Sequence, residues 1–193
     1  MNRLEKICEI RKKLNSSIFS IGSWMQIPSS HVAEIMGKSG FDWVAVDLEH
    51  GSINHFLLPD LFRALEIGNT LPLVRIADSH PMLCKQALDA GAGGLIIPMI
   101  ETANKLIEMR DSSRWPPAGN RGVGFSRANL FGKNFDAYND EAQQPLLIAQ
   151  IESKKGVENI DSICNVQGLD ALMIGPYDLS ASMGLTADFN SPE

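Results

Sequence analysis

The 193-residue sequence has few cysteines, no block of like charge and no apolar run of membrane-spanning length. Its three cysteines, Cys8, Cys84 and Cys164, are odd in number and widely spaced. That excludes a disulfide framework and offers no zinc-ligand spacing; each lies in an apolar, helix-like context and is expected as a reduced, buried thiol. No apolar stretch approaches the about 20 residues that a membrane-spanning helix needs. The opening MNRLEKICEIRKKLNSS is charged throughout and lacks the apolar core of a secretory signal, so a cytoplasmic location is expected. The net charge of −6 comes from interspersed acids and bases. Such a surface favours solubility and provides no basic face for nucleic acid or acidic lipid, while a local arginine can still receive a small anion. Internal repeats and low-complexity tracts are missing as well.

What is present is an alternation. With 44% apolar and 21% charged residues, the chain can bury a sizeable core and reads as a single domain. After a leading helix with Leu4, Ile7, Cys8 and Leu14 on one face, short apolar runs alternate with amphipathic stretches, the pattern of βα units on a parallel sheet. The expected strands are Ser17 to Trp24, Trp43 to Leu48, Leu71 to Ile76, Gly94 to Met99, Leu146 to Ile151 and Ala171 to Ile174. Helices are expected near Ser30 to Lys38, Leu57 to Ile67, Met82 to Ala90, Thr102 to Ser112 and Gly156 to Cys164. Ser29 or Ser30 caps the first of these and Gly40 follows its end; Asp78 or Ser79 precedes Pro81 at the third, with Gly91 after it. The runs LPLVRI, GLIIPMI and PLLIAQI are continuous apolar segments, suited to strands covered on both faces. The segment from Trp115 to Ala142 is longer than an ordinary connection, and long structured loops commonly serve as lids or binding loops. A (β/α)8 TIM barrel needs eight strands and about 250 residues. The expected fold is therefore an α/β barrel domain over residues 1–193, cut short after about six βα units; Asn190-Ser-Pro-Glu193 reads as the start of a further helix.

In parallel α/β folds the carboxyl ends of the strands carry the chemistry. The residues falling there are Trp24, then Asp47, Glu49 and His50 of VDLEHG, Arg75, Gln150 with Glu152, and Tyr177 with Asp178. Each alone is open to a bland reading: a surface histidine, a structural ion pair, a helix cap. Together they place two carboxylates from adjacent strands, an arginine, a glutamine and a histidine at one mouth. Glu152 and Asp178 are hard oxygen donors suited to Mg2+, Mn2+ or Co2+ with open positions. No lysine occupies an expected strand end, which disfavours a Schiff-base aldolase. The GAGG stretch, Gly91 to Gly94, follows a helix and precedes a strand, the reverse of the dinucleotide-binding order.

Seven motifs in order carry a family resemblance: GSWMQIPSS from Gly22, GFDWVAVDLEHG from Gly40, PLVRI from Pro72, LDAGAGGLIIPMIET from Leu88, PPAGNRGVG from Pro116, QIES from Gln150 and IGPYDLSASMG from Ile174. Over nearly its whole length the chain resembles the HpcH/HpaI aldolase family, the metal-dependent pyruvate aldolases of the phosphoenolpyruvate/pyruvate barrel superfamily. The resemblance implies a carbon–carbon lyase that reversibly cleaves a 4-hydroxy-2-oxoacid to pyruvate and an aldehyde through a metal-stabilised pyruvate enolate. The acid would be a 2-keto-3-deoxy sugar acid or 4-hydroxy-2-oxoheptanedioate. It implies Glu152 and Asp178 as metal ligands, His50 as the base, Asp89 as the carboxylate that raises the basicity of that histidine, and Arg75 as the stabiliser of the developing oxyanion. Gln150 and the backbone at Tyr177 and Asp178 match pyruvate contacts, Trp24 lines the pocket, and Asp47 orients the strand end or a metal-bound water. A homo-oligomer, trimeric or hexameric, is implied too. A CoA-ester lyase of the citrate lyase beta-like group and a non-catalytic truncated homologue are the competing readings, and His50 with Arg75 favours the aldolase over the first.

Overall fold

A computed structural model describes residues 1–16 and 18–191. Six strands form one parallel sheet in sequence order: β1 (Gly22–Met25), β2 (Trp43–Asp47), β3 (Leu71–Arg75), β4 (Gly94–Ile97), β5 (Leu146–Ile151) and β6 (Ala171–Ile174). Around them run α1 (Arg3–Asn15), α2 (Ser30–Lys38), α3 (Leu58–Ile67), α4 (Pro81–Asp89), α5 (Ala103–Ser113), α6 (Phe135–Ala142), α7 (Lys154–Glu158), α8 (Ile160–Cys164) and α9 (Pro176–Ser182). Each strand pairs with its sequence neighbour, as the strands that open a (β/α)8 barrel do. Among the described residues no helix is long and apolar enough to cross a membrane.

Side-chain alternation along the strands divides the core into two layers. Val44, Val46, Val74, Leu95, Ile97, Leu147, Ala149 and Ile151 pack outward against α2 to α5 and α8, where Phe62, Leu65, Leu88, Leu106 and Ile163 are buried. Ala45, Leu71, Leu73, Ile96 and Leu146 take the opposite parity and form the inner layer, with Trp24, Trp43, Ile148 and Met173 beside them.

Helix α1 closes the amino end of that inner layer. Ile7 and Ile10 are its buried residues, whereas Leu14 and Cys8 of the expected face are exposed, because the contact stripe runs through position 10 instead. Two arginines pin the helix: Arg3 Nε donates to Glu141 Oε1 at 2.7 Å and Nη2 to the Ala128 carbonyl at 2.6 Å. Arg11 Nε donates to Asp170 Oδ1 at 2.6 Å, just before β6, and Nη2 to the Gln144 carbonyl at 2.8 Å, just before β5.

Several expectations are corrected. The first strand begins at Gly22, and Ser17 lies outside the described residues. Strand β4 ends at Ile97, ahead of Pro98, which has no N–H for the ladder. The last expected helix is two short ones meeting at Asn159, whose side chain instead donates to the Glu101 carbonyl. Helix α4 is capped by His80, which accepts from Met82 N, and not by Asp78 or Ser79. Cys84 is buried as expected, but Cys8 and Cys164 are exposed. The helix start at Asn190-Ser-Pro-Glu193 extends past residue 191, outside the described residues.

The long segment is an ordered subdomain at the end opposite to a lid. It joins α5 to β5, so it lies at the amino edge of the sheet. Trp115 and Tyr138 are buried there edge-to-face at 5.2 Å, and Arg127 ties the 3-10 turns of Arg127–Gly132 to the Ala90 carbonyl and to Glu66, at the ends of α4 and α3.

Because Ile7 is fully enclosed between α1 and the inner layer, Ile7→Ala is expected to cost about 2–5 kcal/mol. Urea unfolding should show a lower midpoint at an unchanged slope.

Candidate active site

The polar residues of the mouth continue the inward-facing series of each strand. Trp24 and Gln26 follow the inner parity of β1, Asp47 that of β2, Arg75 that of β3, and Gln150 and Glu152 that of β5. Apolar side chains fill the lower rungs and charged ones occupy the last, at the carboxyl ends.

Asp47 and Arg75 are direct partners in the β2–β3 register. Arg75 donates to both Asp47 oxygens, Nε to Oδ1 at 2.9 Å and Nη2 to Oδ2 at 2.6 Å, with Asp47 0% and Arg75 6% exposed. A fork of this kind fixes both side chains. Asp47 also accepts from Trp24 Nε1 at 3.0 Å, Gln26 Nε2 at 2.7 Å, and the backbone N–H groups of Glu49 at 3.0 Å and His50 at 3.3 Å. Burial opposes its charge, but the hydrogen bonds from Arg75, Gln26, Trp24 and the Glu49 backbone hold it far below the usual carboxylate range. Arg75 is likewise opposed by burial and held above its usual value by Asp47, then by Glu49 and Glu152. Its guanidinium lies 4.9 Å from the Trp24 ring centroid, and its Nη1 is 3.0 Å from Glu49 Oε2. Glu49, unlike Asp47, is shifted upward, chiefly by burial; Arg75 and His50 pull it back, while Glu152 and Asp47 push it further. Those mutual influences place Asp47, Glu49, His50, Arg75 and Glu152 within one electrostatic neighbourhood.

Glu152 is 1% exposed, yet its partners are neutral. Met99 N donates to Oε1 at 2.7 Å, and Gln150 Nε2 donates to Oε2. Among the described residues none of the ion pairs involves Glu152. The Oε1 of Gln150 is buried without a hydrogen-bond partner. The corner after β6 closes over this carboxylate: a Cβ on Gly175 would stand 2.6 Å from Glu152 Oε2. Asp178 follows in the first turn of α9, exposed, as is Tyr177, which stacks edge-to-face on Phe189 at 5.2 Å. His50 is exposed on the loop after β2.

A buried carboxylate without a cation is costly unless something positive arrives. Glu152, and Asp178 in the first helical turn past the Gly175 corner that closes on it, are hard oxygen donors of the kind that suit a divalent cation. Among the described residues no three His, Cys, Asp or Glu side chains group as a ligand set.

Asp89 is not brought to this mouth. Helix α4 runs back from the carboxyl end of β3, so its last residue reaches the amino edge, where Asp89 pairs with Lys85 at 3.0 Å and lies 3.5 Å from Arg121. Gln26 and Met99 also bond to carboxylates of this mouth, and the strand-end reading passed over both. The inner parity of β1, extended by two positions, would have found Gln26.

The Asp47–Arg75 pair sets a pH dependence. A carboxylate held below its unfolded value of about 3.9 stabilises the fold above that pH and loses the contribution as pH falls toward its folded value. The parent's urea midpoint should therefore drop below about pH 4. Asp47→Asn should be flatter across that window and about 3–5 kcal/mol less stable at pH 7, because Arg75 is left buried without its counter-charge.

Comparison with known proteins agrees with this architecture. The family model described as HpcH/HpaI aldolase/citrate lyase matches residues 20–193. A hydroxypyruvate/pyruvate aldolase of Roseobacter denitrificans is 39% identical over 186 residues, 95% of this chain and 72% of the relative. A 2-keto-3-deoxy-L-rhamnonate aldolase of Salmonella gallinarum is 40% identical over 176 residues, 90% of this chain and 66% of the relative. The chain thus spans about two thirds to three quarters of the length of these relatives. The crystal structure of an HpcH/HpaI aldolase/citrate lyase family protein from Burkholderia cenocepacia superimposes with a TM-score of 0.88 at 33% identity, covering 95% of this chain and 75% of that one. The chain belongs to the HpcH/HpaI aldolase/citrate lyase family.

Proposed function

We propose that the chain is the catalytic barrel of a metal-dependent pyruvate aldolase, a carbon–carbon lyase that splits a 4-hydroxy-2-oxoacid into pyruvate and an aldehyde. The observation that carries this reading is the buried Glu152 carboxylate, which has only neutral partners and sits beside the Asp47–Arg75 fork. The aldolases among its relatives, at about 40% identity, support the reaction class. The acid is of the 2-keto-3-deoxy sugar acid or 4-hydroxy-2-oxoheptanedioate type, and the protein acts in the cytoplasm. Exposed Phe19, Phe56, Phe125 and Phe131 offer apolar surface for self-association.

Glu152 and Asp178 would hold Mg2+, Mn2+ or Co2+. That ion supplies Lewis-acid stabilisation of negative charge on the keto oxygen of pyruvate. The chain's own residues do the rest. His50 takes the proton from the pyruvate methyl in the synthetic direction and returns it in cleavage; an imidazole is the side chain suited to both near neutral pH. The His50 backbone N–H on Asp47 Oδ1 fixes where the loop starts. Arg75 presents a fixed positive charge where the aldol oxygen turns negative, and Asp47 keeps the guanidinium from turning away. Gln150 and the first-turn backbone N–H groups of Tyr177 and Asp178 orient the carboxylate end of pyruvate, and Trp24 walls the pocket.

Exchange of the pyruvate methyl protons for deuterium, followed by NMR with added Mn2+, Mg2+ or Co2+, tests the reading without knowledge of the aldehyde. Exchange should require the metal. His50→Ala should slow exchange and aldol turnover by about 10²- to 10⁴-fold and leave Mn2+ affinity unchanged, whereas Glu152→Ala should lose both. A fully active His50→Ala protein would refute the base assignment, and a panel of aldehydes offered with pyruvate would then identify the second substrate.

A further inference from the structure

The corner after β4 makes contacts that nothing in the reaction chemistry requires. Strand β4 ends at Ile97; Pro98 follows, and Met99 adopts φ +52°, the left-handed region that a side chain of its shape rarely enters. The turn aims two successive N–H groups at β5. Met99 N donates to Glu152 Oε1 at 2.7 Å, and Ile100 N to the Gln150 carbonyl at 3.2 Å. The next residue continues the seam. Glu101 accepts from Ser153 Oγ at 3.1 Å and Lys155 Nζ at 2.9 Å through its carboxylate, and from Asn159 Nδ2 at 3.0 Å through its carbonyl. Thus Met99, Ile100 and Glu101 are hydrogen-bonded in turn to Glu152, Gln150 and Ser153, and among the described residues the bond of this seam that ends on the Glu152 side chain comes from the strained residue.

We propose that Met99 is a positioning residue for the metal site: its left-handed backbone directs an N–H onto Glu152 Oε1 and holds the carboxylate in the orientation that receives the cation. The inference rests on the reading of Glu152 as a metal ligand. Three features support it. A backbone conformation that costs of order 1–3 kcal/mol persists only where its surroundings over-determine it, and such residues gather at functional sites. A carboxylate that is 1% exposed cannot find its orientation from water. And its Oε2 is confined on the other side by Gly175, where a Cβ would stand 2.6 Å away, so the two corners grip the group from both ends. Partners of this kind, one bond removed from the ion, commonly set metal affinity by 10- to 100-fold.

The side chain at position 99 is 45% exposed, so substitutions there act on the backbone more than on packing. Asparagine tolerates the left-handed region and keeps the N–H; a β-branched valine resists it and swings the N–H away. Mn2+ binding to the protein without substrate, read by electron paramagnetic resonance, should be about tenfold weaker in Met99→Val and within about twofold of the parent in Met99→Asn. Circular dichroism and urea midpoints establish that each variant is folded at the assay temperature, and affinity is compared per folded molecule. Parent-like affinity in folded Met99→Val, or an equal loss in Met99→Asn, would overturn the proposal. Glu152→Gln separates the two levels: if it binds Mn2+ like the parent, the reading of Glu152 as ligand fails; if it loses binding while Met99→Val keeps it, only the positioning role fails. Should Met99→Val not fold, replacement of the Met99 amide by an ester through chemical ligation removes the N–H alone, and parent-like Mn2+ affinity in that protein would overturn the proposal.

Discussion

The buried fork between Asp47 and Arg75 is the constraint on which the mouth of this barrel depends. Two desolvated charges repay their loss of hydration only when geometry and additional hydrogen bonds are favourable, and the rest of the site is arranged to meet that condition. The strands place the two residues opposite each other in register. Trp24 and Gln26 of the neighbouring strand end add two neutral donors, and the backbone at Glu49 and His50 adds two more. The loop carrying His50 is therefore shaped by the same carboxylate that fixes the arginine. A change at Asp47 would disturb the charge, the base-bearing loop and the indole together.

The fork also sets the sign of the space around it. With the Arg75 charge matched by Asp47, the remaining ionisable groups of the neighbourhood are Glu49, His50 and Glu152. Burial pushes the Glu49 carboxyl upward, while Arg75, 3.0 Å away, pulls it back. Glu152 has no such cationic contact, and both its oxygens are held by amides. The lower rungs contribute by being apolar: Ala45, Leu73, Ile96 and Ile148, with α1 beneath them, present a poorly polarisable surface to the charges at the upper rung.

Much of this was legible in the sequence because both periodicities are strong. Strands β5 and β6 fall on the expected residues, and α2 runs over its expected span, since apolar runs, caps and following glycines agree there. The inner and outer layers follow from counting by two along each strand, and that count puts Asp47, Arg75, Gln150 and Glu152 on one face. Other features leave no such trace. Asp89 looks like a site residue by motif, but a helix of nine residues carries its last position to the opposite edge. The 115–142 segment reads as a lid for want of periodicity; its core is a local cluster of Trp115, Tyr138, Ala128 and Ala142, built by non-periodic contacts. The left-handed turn at Met99 has only Pro98 to announce it, because the carboxylate its N–H meets lies at the end of the neighbouring strand, 53 positions along the chain.

The chemistry demands a charge sink, and the residues available decide which kind. Removing a proton from the methyl of a ketoacid leaves negative charge on the keto oxygen, which either an iminium or a metal can absorb. An iminium needs a lysine aimed into the mouth. The two nearest to a strand end, Lys154 and Lys155, begin α7 and are exposed; the Lys154 backbone N–H donates to Ser182 Oγ, and Lys155 Nζ is bound to Glu101. Both therefore stand on the outer side of the corner that holds Glu152. What points inward at the corresponding rung of β5 is the carboxylate itself. A carboxylate cannot form the iminium, but it can bind the cation that replaces it, and the cation brings its own charge. A cation held there would also offset the burial cost of Glu152.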